Sequence, residues 1–215
     1  MINLYNQDCM IAMQQMKDNE YDLAICDPPY GGSANKLQNI PNYGGNNQHL
    51  YQKPNWNIAP PEKYFSELRR VSRNQIVWGG NYFPSLWDRP ARGFIFWNKK
   101  QISKLHADGE LAWTSFDRNA KMLEYRWCGA LAGDSNKANH NIIHVTQKPV
   151  ALYTWLLDNY AKHGDRILDT HLGSGSIAIA CSDMGYDLDA YEIDAEYYQN
   201  ALNRLQNHQR QLKLW

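Results

Sequence analysis

The chain lacks the features of a membrane, secreted or disulfide-stabilised protein. None of its apolar runs reaches the roughly 20 residues that a membrane-spanning helix needs. The N-terminus has no basic stretch followed by an apolar one. Its four cysteines lie far apart and form no CxxC pair, so we expect reduced thiols, no disulfide framework and no structural zinc site. These absences predict a cytoplasmic protein with no membrane partner.

Net charge is absent as well, because 22 Lys and Arg balance 22 Asp and Glu. The distribution is nevertheless uneven: the first 47 residues carry −3, the stretch 48–148 carries +7, and the remainder carries −4. Seven of the eight tryptophans lie between Trp56 and Trp155. Basic residues interleaved with aromatics suit a nucleic acid, which offers phosphates to contact and bases to stack. The alternative is a scattered basic surface over core tryptophans, and we favour core positions for Trp78, Trp97 and Trp155.

Apolar runs alternate with helical spacing along the whole chain. At 215 residues and 43% hydrophobic composition, the chain is long enough for one domain with its own core, which we place at 1–215. The patterns predict strands at 2–5, 23–26, 75–78, 94–97, 166–169 and 188–191, and helices at 9–16, 61–71, 148–160, 176–184 and 195–210. This alternation predicts an α/β fold with a mostly parallel sheet.

Two polar segments interrupt the alternation. Residues 31–59 are rich in Asn and Gly and predict a long mobile loop, which either covers a pocket or has no order of its own. Residues 99–147 are mixed in character and predict an insertion with short strands. Within it, Lys99 and Lys100 would either contact phosphates or be solvated.

A glycine turn follows the strand predicted at 166–169 and leads into the next helix. It reads Asp-Thr-His-Leu-Gly-Ser-Gly-Ser over residues 169–176. Glycines let the backbone approach a ligand closely, and a helix N-terminus favours negative groups. Glu192 ends the next strand, 17 residues after Gly175, where a carboxylate can bind ribose hydroxyls. Because no Gly-Lys-Ser/Thr follows, a P-loop is excluded, and a dinucleotide or S-adenosylmethionine (SAM) remains as ligand. The alternative is a tight turn without a ligand.

The tetrapeptide Asp27-Pro28-Pro29-Tyr30 follows the strand predicted at 23–26 and has a readable chemistry. The exocyclic amino group of a base is a poor nucleophile, because its lone pair is delocalised into the ring. The Asp27 side chain and the Pro28 carbonyl can accept hydrogen bonds from both N–H groups and so localise that lone pair. Pro29 keeps the turn rigid, and Tyr30 offers a ring on which a flipped base can stack. The alternative is a plain proline turn after a strand.

With these segments, the chain resembles the amino-group DNA methyltransferases, which methylate adenine N6 or cytosine N4. Residues 27–30 are the family's DPPY motif, and residues 169–176 match its D-P-F-x-G-S-G-T turn, with Thr170 and His171 replacing Pro and Phe. Further matches are Thr146-Gln-Lys-Pro149, the segment 191–198 and the pair Asp8-Cys9. The catalytic motif precedes the SAM motif, which is the permuted order called the β group.

The resemblance implies a Rossmann-like SAM-dependent methyltransferase fold with a circularly permuted motif order. It implies catalytic roles for Asp27, Pro28, Pro29 and Tyr30. It implies SAM contacts for Asp8, Cys9, Lys148, Asp169, Thr170, His171, Gly173, Ser174, Gly175, Ser176 and Glu192. His171 would touch the cofactor or fill the space of the usual Phe, and we favour filling. No metal site is expected, since Asn141 stands between His140 and His144 where a helical zinc motif needs Glu.

The resemblance predicts methyl transfer from SAM to a base flipped out of double-stranded DNA. Adenine N6 is the first choice, because DPPY is commoner in the adenine enzymes. Cytosine N4, RNA adenine N6 and a non-catalytic nucleic-acid-binding subunit remain as alternatives. A nicotinamide-dependent oxidoreductase would leave DPPY unexplained. Segment 99–147 becomes the candidate for a small target-recognition insertion. A homodimer would share recognition, while the recognition sequence and any restriction partner stay undetermined.

Overall fold

The structure is a computed structural model, and it describes residues 1–31, 57–88, 92–100, 107–127, 143–144 and 146–211. Most of the predicted loop 31–59 and residues 128–142 of the predicted insertion therefore lie outside the described residues, as do Trp56, Cys128 and His140. Among the described residues, no helix combines the length and apolar character that crossing a bilayer requires.

Strands and helices alternate as the sequence patterns predict. The strands are β1 (Ile2–Asn6), β2 (Tyr21–Cys26), β3 (Ser72–Trp78), β4 (Phe94–Asn98), β5 (Gly109–Thr114), β6 (Lys121–Glu124), β7 (Arg166–Asp169) and β8 (Asp187–Glu192). The helices are α1 (Cys9–Met13), α2 (Glu62–Val71), α3 (Val150–Tyr160), α4 (Ser176–Met184) and α5 (Ala195–Arg210). The α/β prediction is confirmed.

The eight described strands form one mixed sheet in the order β1-β8-β7-β2-β3-β5-β4-β6. Neighbouring strands run parallel except at β5, which is antiparallel to both β3 and β4. The first strand pairs with the last, with Ile2 opposite Leu188 and Asn6 opposite Glu192. This pairing places the two ends of the chain side by side, as the permuted motif order requires.

Local signals explain most helix ends. The Asp8 carboxylate accepts a hydrogen bond from the Met10 N–H and begins α1, and Asp194 accepts two at the start of α5. Proline stands just before α2 and α3 at Pro61 and Pro149, where its missing N–H costs nothing. The first helix ends at Met13, three residues before its predicted end, and continues only as hydrogen-bonded turns.

Apolar side chains cover the sheet on both faces. One core cluster packs α3 and α4 against the sheet and contains Trp78 and Trp97, while the other packs α1 and α2 and contains Trp113. Trp155 is partly buried against the first cluster. These tryptophans therefore stabilise the fold. Strands β5 and β6, from the predicted insertion, extend the central sheet.

Candidate active site

A cleft of about 1110 Å³ opens where four parallel strands end. The carboxyl ends of β1, β2, β7 and β8 meet at one edge of the sheet, which is where open α/β folds bind ligands. Each strand contributes a polar side chain to the cleft within two residues of its end, namely Asp8, Asp27, Thr170 and Glu192. The fold thus brings together groups that lie up to 184 positions apart in the sequence.

Asp27 lies at the bottom of a hydrogen-bonded group. Its Oδ1 accepts a bond of 2.8 Å from the Tyr30 hydroxyl, and its Oδ2 accepts one from Lys148 Nζ. Burial raises the pKa of the Asp27 carboxyl, and the nearby Glu110 raises it further, while Lys148 opposes both. Each carboxylate oxygen has two lone pairs, so these bonds leave acceptor capacity for a ligand N–H.

The Tyr30 ring rests on the turn that follows β3. Gly79 has a φ of +67°, and a Cβ at this position would lie 2.2 to 2.6 Å from three atoms of the Tyr30 ring. Only glycine permits both this backbone conformation and this approach. Tyr82 stacks on the same ring at 5.0 Å between centroids and 15° between planes, and it is 57% exposed. Neither Gly79 nor Tyr82 was predicted from the sequence as a site residue. The Gly79-Gly80 pair after a predicted strand could have indicated a tight turn there.

A buried chain of charges supports Asp27 from behind. Lys148 is 4% exposed and forms two ion pairs. Its Nζ lies 3.2 Å from a carboxylate oxygen of Glu110 and also contacts the Asp27 carboxylate. Glu110 also pairs with Lys99. Burial alone would raise the pKa of Glu110, but Lys148 and Lys99 lower it to about 2. Burial opposes the charge on Lys148, yet Asp27 and Glu110 raise its pKa. Glu110 and Lys148 are therefore charged near neutral pH.

The Lys148 ammonium thus lies beside Asp27 and Tyr30 in the cleft. Sequence reasoning assigned Lys148 to the cofactor, and this stays a prediction. Its main-chain carbonyl accepts a 2.7 Å bond from the Ser176 hydroxyl of the glycine turn. Glu110 was not predicted at all, because a single Glu in a polar segment gives no motif. Lys99 pairs with Glu110 in place of the phosphate or solvent contact considered from sequence.

The glycine turn has the conformation that its sequence predicts. Gly173 and Gly175 have φ values of +52° and +72°, and a Cβ on Gly175 would lie 3.1 Å from the Ala201 Cβ on α5. Arg204, also on α5, donates bonds of 2.8 Å to the Ser174 carbonyl and 2.9 Å to the Ser176 hydroxyl. The C-terminal helix therefore fixes the shape of the turn.

Glu192 presents a carboxylate that the main chain holds in place. One oxygen accepts a 2.9 Å bond from the Gly173 N–H and the other a 2.9 Å bond from the Asp194 N–H. Asp194 in turn caps α5. Glu192 is 9% exposed and lines the cleft.

The substituted pair of the turn packs against α2. Thr170 Oγ1 hydrogen-bonds the Tyr64 hydroxyl at 2.6 Å and His171 Nδ1 at 2.9 Å. The His171 ring lies edge-on to Tyr64, 5.3 Å between centroids, and also lines the cleft. Burial lowers the pKa of His171 to about 4, so the ring is neutral. His171 occupies the place of a packed aromatic ring while facing the cleft.

The remaining predicted cofactor residues divide into two groups. Cys9 lines the cleft, and burial raises the pKa of its thiol to about 12, so it is not a nucleophile. Asp169, Gly175 and Ser176 are not among the residues that line the cleft. The Asp169 carboxylate accepts a 2.9 Å bond from the His171 N–H, and burial raises its pKa to about 8. Among the described residues, no three His, Cys, Asp or Glu cluster as a metal site would need.

Comparison with known proteins shows which family this chain resembles. A family model for N6/N4 DNA methylases matches residues 92–203. The type II methyltransferase M.HpaI of Haemophilus parainfluenzae is 34% identical over 234 aligned positions, which cover 90% of this chain and 71% of that enzyme.

Solved structures share the fold. The SAM complex of M1.HpyAVI matches 95% of this chain and 100% of that chain, with a TM-score of 0.60 and 19% identity. The PvuII DNA methyltransferase, which is cytosine-N4-specific, matches 94% of this chain and 86% of that chain, with a TM-score of 0.62 and 13% identity.

The cleft fits SAM, the cofactor of this family. Glu192 offers fixed acceptors suited to ribose hydroxyls, and Gly173 leaves the turn without a side chain at the cleft. The carboxylates of Asp8 and Asp27 line the same cleft and suit a cationic sulfonium group. The fold, the cleft, the matched family model and the similarity to M.HpaI agree, and the chain belongs to the N6/N4 family of DNA methylases.

Proposed function

We propose that this protein transfers a methyl group to the exocyclic amino group of a base flipped out of double-stranded DNA, with adenine N6 as the target. One observation supports this most directly. Asp27 and Tyr30, the pair suited to a base amino group, line the same cleft as Glu192, the residue suited to the cofactor ribose. The choice of adenine rests on the DPPY sequence, which is commoner in adenine enzymes.

The chain's own residues perform three tasks in this reaction. Tyr30 supplies the ring on which the flipped base stacks, held by its hydroxyl on Asp27 and by Gly79 beneath it. The Asp27 carboxylate and the Pro28 carbonyl accept the two amino N–H groups, which localises the nitrogen lone pair. The cleft walls hold the two reactants in line, so orientation and electrostatics account for the rate.

SAM, when bound, supplies a methyl carbon attached to a positively charged sulfur. The base nitrogen uses its lone pair to form the new N–C bond, and the electron pair of the broken C–S bond stays on sulfur. One amino proton then leaves the nitrogen toward the Asp27 carboxylate and from there to water. No covalent bond to the protein forms in this sequence. None of the described thiols has a pKa low enough to act as a nucleophile, since burial raises the pKa of Cys9 and Cys26 to about 12 and that of Cys181 further.

The test is transfer from labelled SAM to unmethylated DNA, followed by digestion and mass analysis of the nucleosides. N6-methyladenine is the expected product. N4-methylcytosine would overturn the choice of adenine while keeping the chemistry of the site. Absence of transfer to DNA by protein that binds SAM would overturn the proposed function and direct the search to RNA adenine or to a binding role.

The variant Asp27→Asn tests the site itself. It keeps the shape of the side chain but removes the charge and one acceptor oxygen, so we expect transfer to fall at least about a thousandfold with SAM affinity within about threefold. The matched control is Asp18→Asn, an exposed carboxylate paired with Arg70 away from the cleft. Full turnover by Asp27→Asn would remove Asp27 from the reaction.

A further inference from the structure

The chain of charges behind Asp27 continues further than the transfer chemistry requires. Lys148 alone would neutralise Asp27, yet Lys148 also contacts Glu110, and Glu110 contacts Lys99. The order is thus acid, base, acid, base, with a net charge of zero. Glu110 is on β5, the antiparallel strand, so its carboxylate reaches the site from a different part of the fold.

A buried charge without a partner costs free energy. Lys148 and Glu110, in the middle of the chain, therefore determine how strongly Asp27 is held at its end. Without Glu110, the Lys148 ammonium would keep only Asp27 and the Tyr30 hydroxyl as polar partners among the described residues, and Asp27 would be its one counter-charge. The lone pairs of Asp27 would then be tied to Lys148, and the cluster would carry an excess positive charge. During transfer, positive charge moves from the cofactor sulfur to the base nitrogen, toward this cluster, where an excess positive charge would oppose it.

We propose that Glu110 is a positioning residue for methyl transfer: it holds the Lys148 ammonium between two carboxylates, so that Asp27 keeps an acceptor free for the base amino group. The inference rests on the proposed function for its role in turnover. The effect of Glu110 on the protonation of Asp27 does not depend on the proposed function, because it rests on contacts between side chains of this chain. Lys148, Lys99 and Tyr30 act on one or both of these carboxylates, which also act on each other, and the carboxylates in turn raise the pKa of Tyr153 and, for Asp27, of Asp169.

The sign of the pH effect follows from the contacts. Glu110 raises the pKa of Asp27, so its neutralisation in Glu110→Gln lowers that pKa. The acidic limb of the kcat–pH profile then moves to lower pH, because Asp27 stays ionised further down. The plateau rate falls about tenfold or more, since Lys148 and Lys99 are left with one carboxylate between them. Glu110→Asp, which keeps the charge, restores part of the rate.

The matched control is Glu124→Gln. Glu124 pairs with Lys100 at the sheet edge and is 44% exposed, so the same chemical change there should leave rate, pH profile and SAM affinity unchanged.

A double variant, Glu110→Gln with Lys148→Met, tests whether Glu110 acts on the reaction through Lys148 or independently of it. If Glu110 acts through Lys148, the two effects on kcat will not add, and the double variant will be no worse than Lys148→Met alone.

A second measurement needs no turnover. With 13C-labelled aspartate carboxyls, the Asp27 resonance is the one missing from Asp27→Asn, and its titration midpoint is read directly. Glu110→Gln should shift this midpoint down, and Glu124→Gln should not. An unshifted midpoint would overturn the inference whether or not the wild type methylates DNA. A shifted midpoint with an unchanged kcat in an active enzyme would also overturn it, because the charge would then have no role in transfer.

Discussion

Different kinds of interaction hold the two sides of the cleft in place. On the side proposed for SAM, here called the cofactor side, the Glu192 carboxylate and the 169–176 turn are held mainly by main-chain N–H groups, positive φ values and the cap of α5, with Arg204 as a side-chain support. On the base side, Asp27 and Tyr30 are held by side chains from distant segments, with Lys148 and Glu110 as the central pair. Main-chain contacts fix shape, whereas buried charges fix protonation and acceptor direction.

This difference implies that the two sides fail in different ways. A substitution on the cofactor side should weaken SAM binding and leave the rate at saturating SAM nearly unchanged. A substitution on the base side should lower kcat and leave SAM affinity nearly unchanged. Lys148 is the sharpest test, because its ammonium lies on one side while its carbonyl contacts Ser176 on the other.

The largest effect among the variants that probe this division is expected for Lys148→Met. Methionine keeps most of the volume, so the carbonyl contact to Ser176 should persist while the ammonium is lost. Asp27 then loses the group that opposes the rise of its pKa, and the acidic limb of the kcat–pH profile moves to higher pH. We expect kcat at neutral pH to fall about a hundredfold or more, with the dissociation constant for SAM within about threefold.

The measurement is single-turnover transfer over a pH series, with SAM binding by calorimetry. Lys162→Met, on an exposed loop residue, makes the same chemical change far from the charge chain. If Lys148→Met weakened SAM binding tenfold while kcat held, Lys148 would belong to the cofactor side, as sequence reasoning assigned it. Should the variant be unstable, Lys148→Met with Glu110→Gln removes one charge of each sign and keeps the test feasible.

Next in size is the effect of Gly79→Ala. The added methyl would lie 2.2 Å from a Tyr30 ring atom, so the ring must move and its hydroxyl must pull away from Asp27. We expect kcat to fall about tenfold to a hundredfold, since a displacement of about 1 Å in a site can cost a hundredfold. SAM affinity should not change.

The chain offers a close control for Gly79→Ala. Gly164 also has a positive φ, +88°, but a Cβ there meets nothing within 4 Å. Gly164→Ala therefore introduces the backbone strain alone, about 1 to 2 kcal/mol of stability, without touching the site. Equal losses of transfer in the two variants would show that strain, and not the displaced Tyr30, causes the effect.

The same division explains what the sequence could predict. The five helices and six of the eight described strands followed from hydrophobic spacing, whereas β5 and β6 were expected only as short strands somewhere in 99–147. The glycine turn and Glu192 followed from a short segment in which spacing along the chain fixes spacing in space. DPPY was readable for the same reason. Glu110, Gly79 and Tyr82 were missed, because they reach Tyr30 or Lys148 only through the pairing of β3 with β5 and the turn after β3.

Charge and aromatic counts were the weaker guide. The interleaved tryptophans suggested base stacking, although core positions were favoured for Trp78 and Trp97. Both are buried in the core as expected, and Trp113 is buried on the other face of the sheet. Within the basic stretch 48–148, Lys99 and Lys148 form the buried charge chain. Composition cannot distinguish a lysine that faces a nucleic acid from one that forms an ion pair inside the protein, because the residue type is the same in both cases. The recognition role of segment 99–147 stays a prediction.

The smallest of these effects should come from Glu192→Gln, on the cofactor side. The amide keeps one acceptor oxygen, so either the Gly173 or the Asp194 N–H loses its partner, and a ribose hydroxyl loses a charged acceptor. A hydrogen bond to a charged group contributes about 1.5 to 3 kcal/mol and a neutral one about 0.5 to 1.5 kcal/mol, so the exchange should cost about 1 to 1.5 kcal/mol. SAM affinity should therefore fall about fivefold to tenfold, with kcat at saturating SAM within about twofold. Glu196→Gln, exposed in the first turn of α5, is the matched control. The comparison between the two sides predicts opposite patterns for Glu192→Gln and Lys148→Met. A loss of kcat with unchanged SAM affinity in Glu192→Gln would mean that both sides act as one charge network and that the division is wrong.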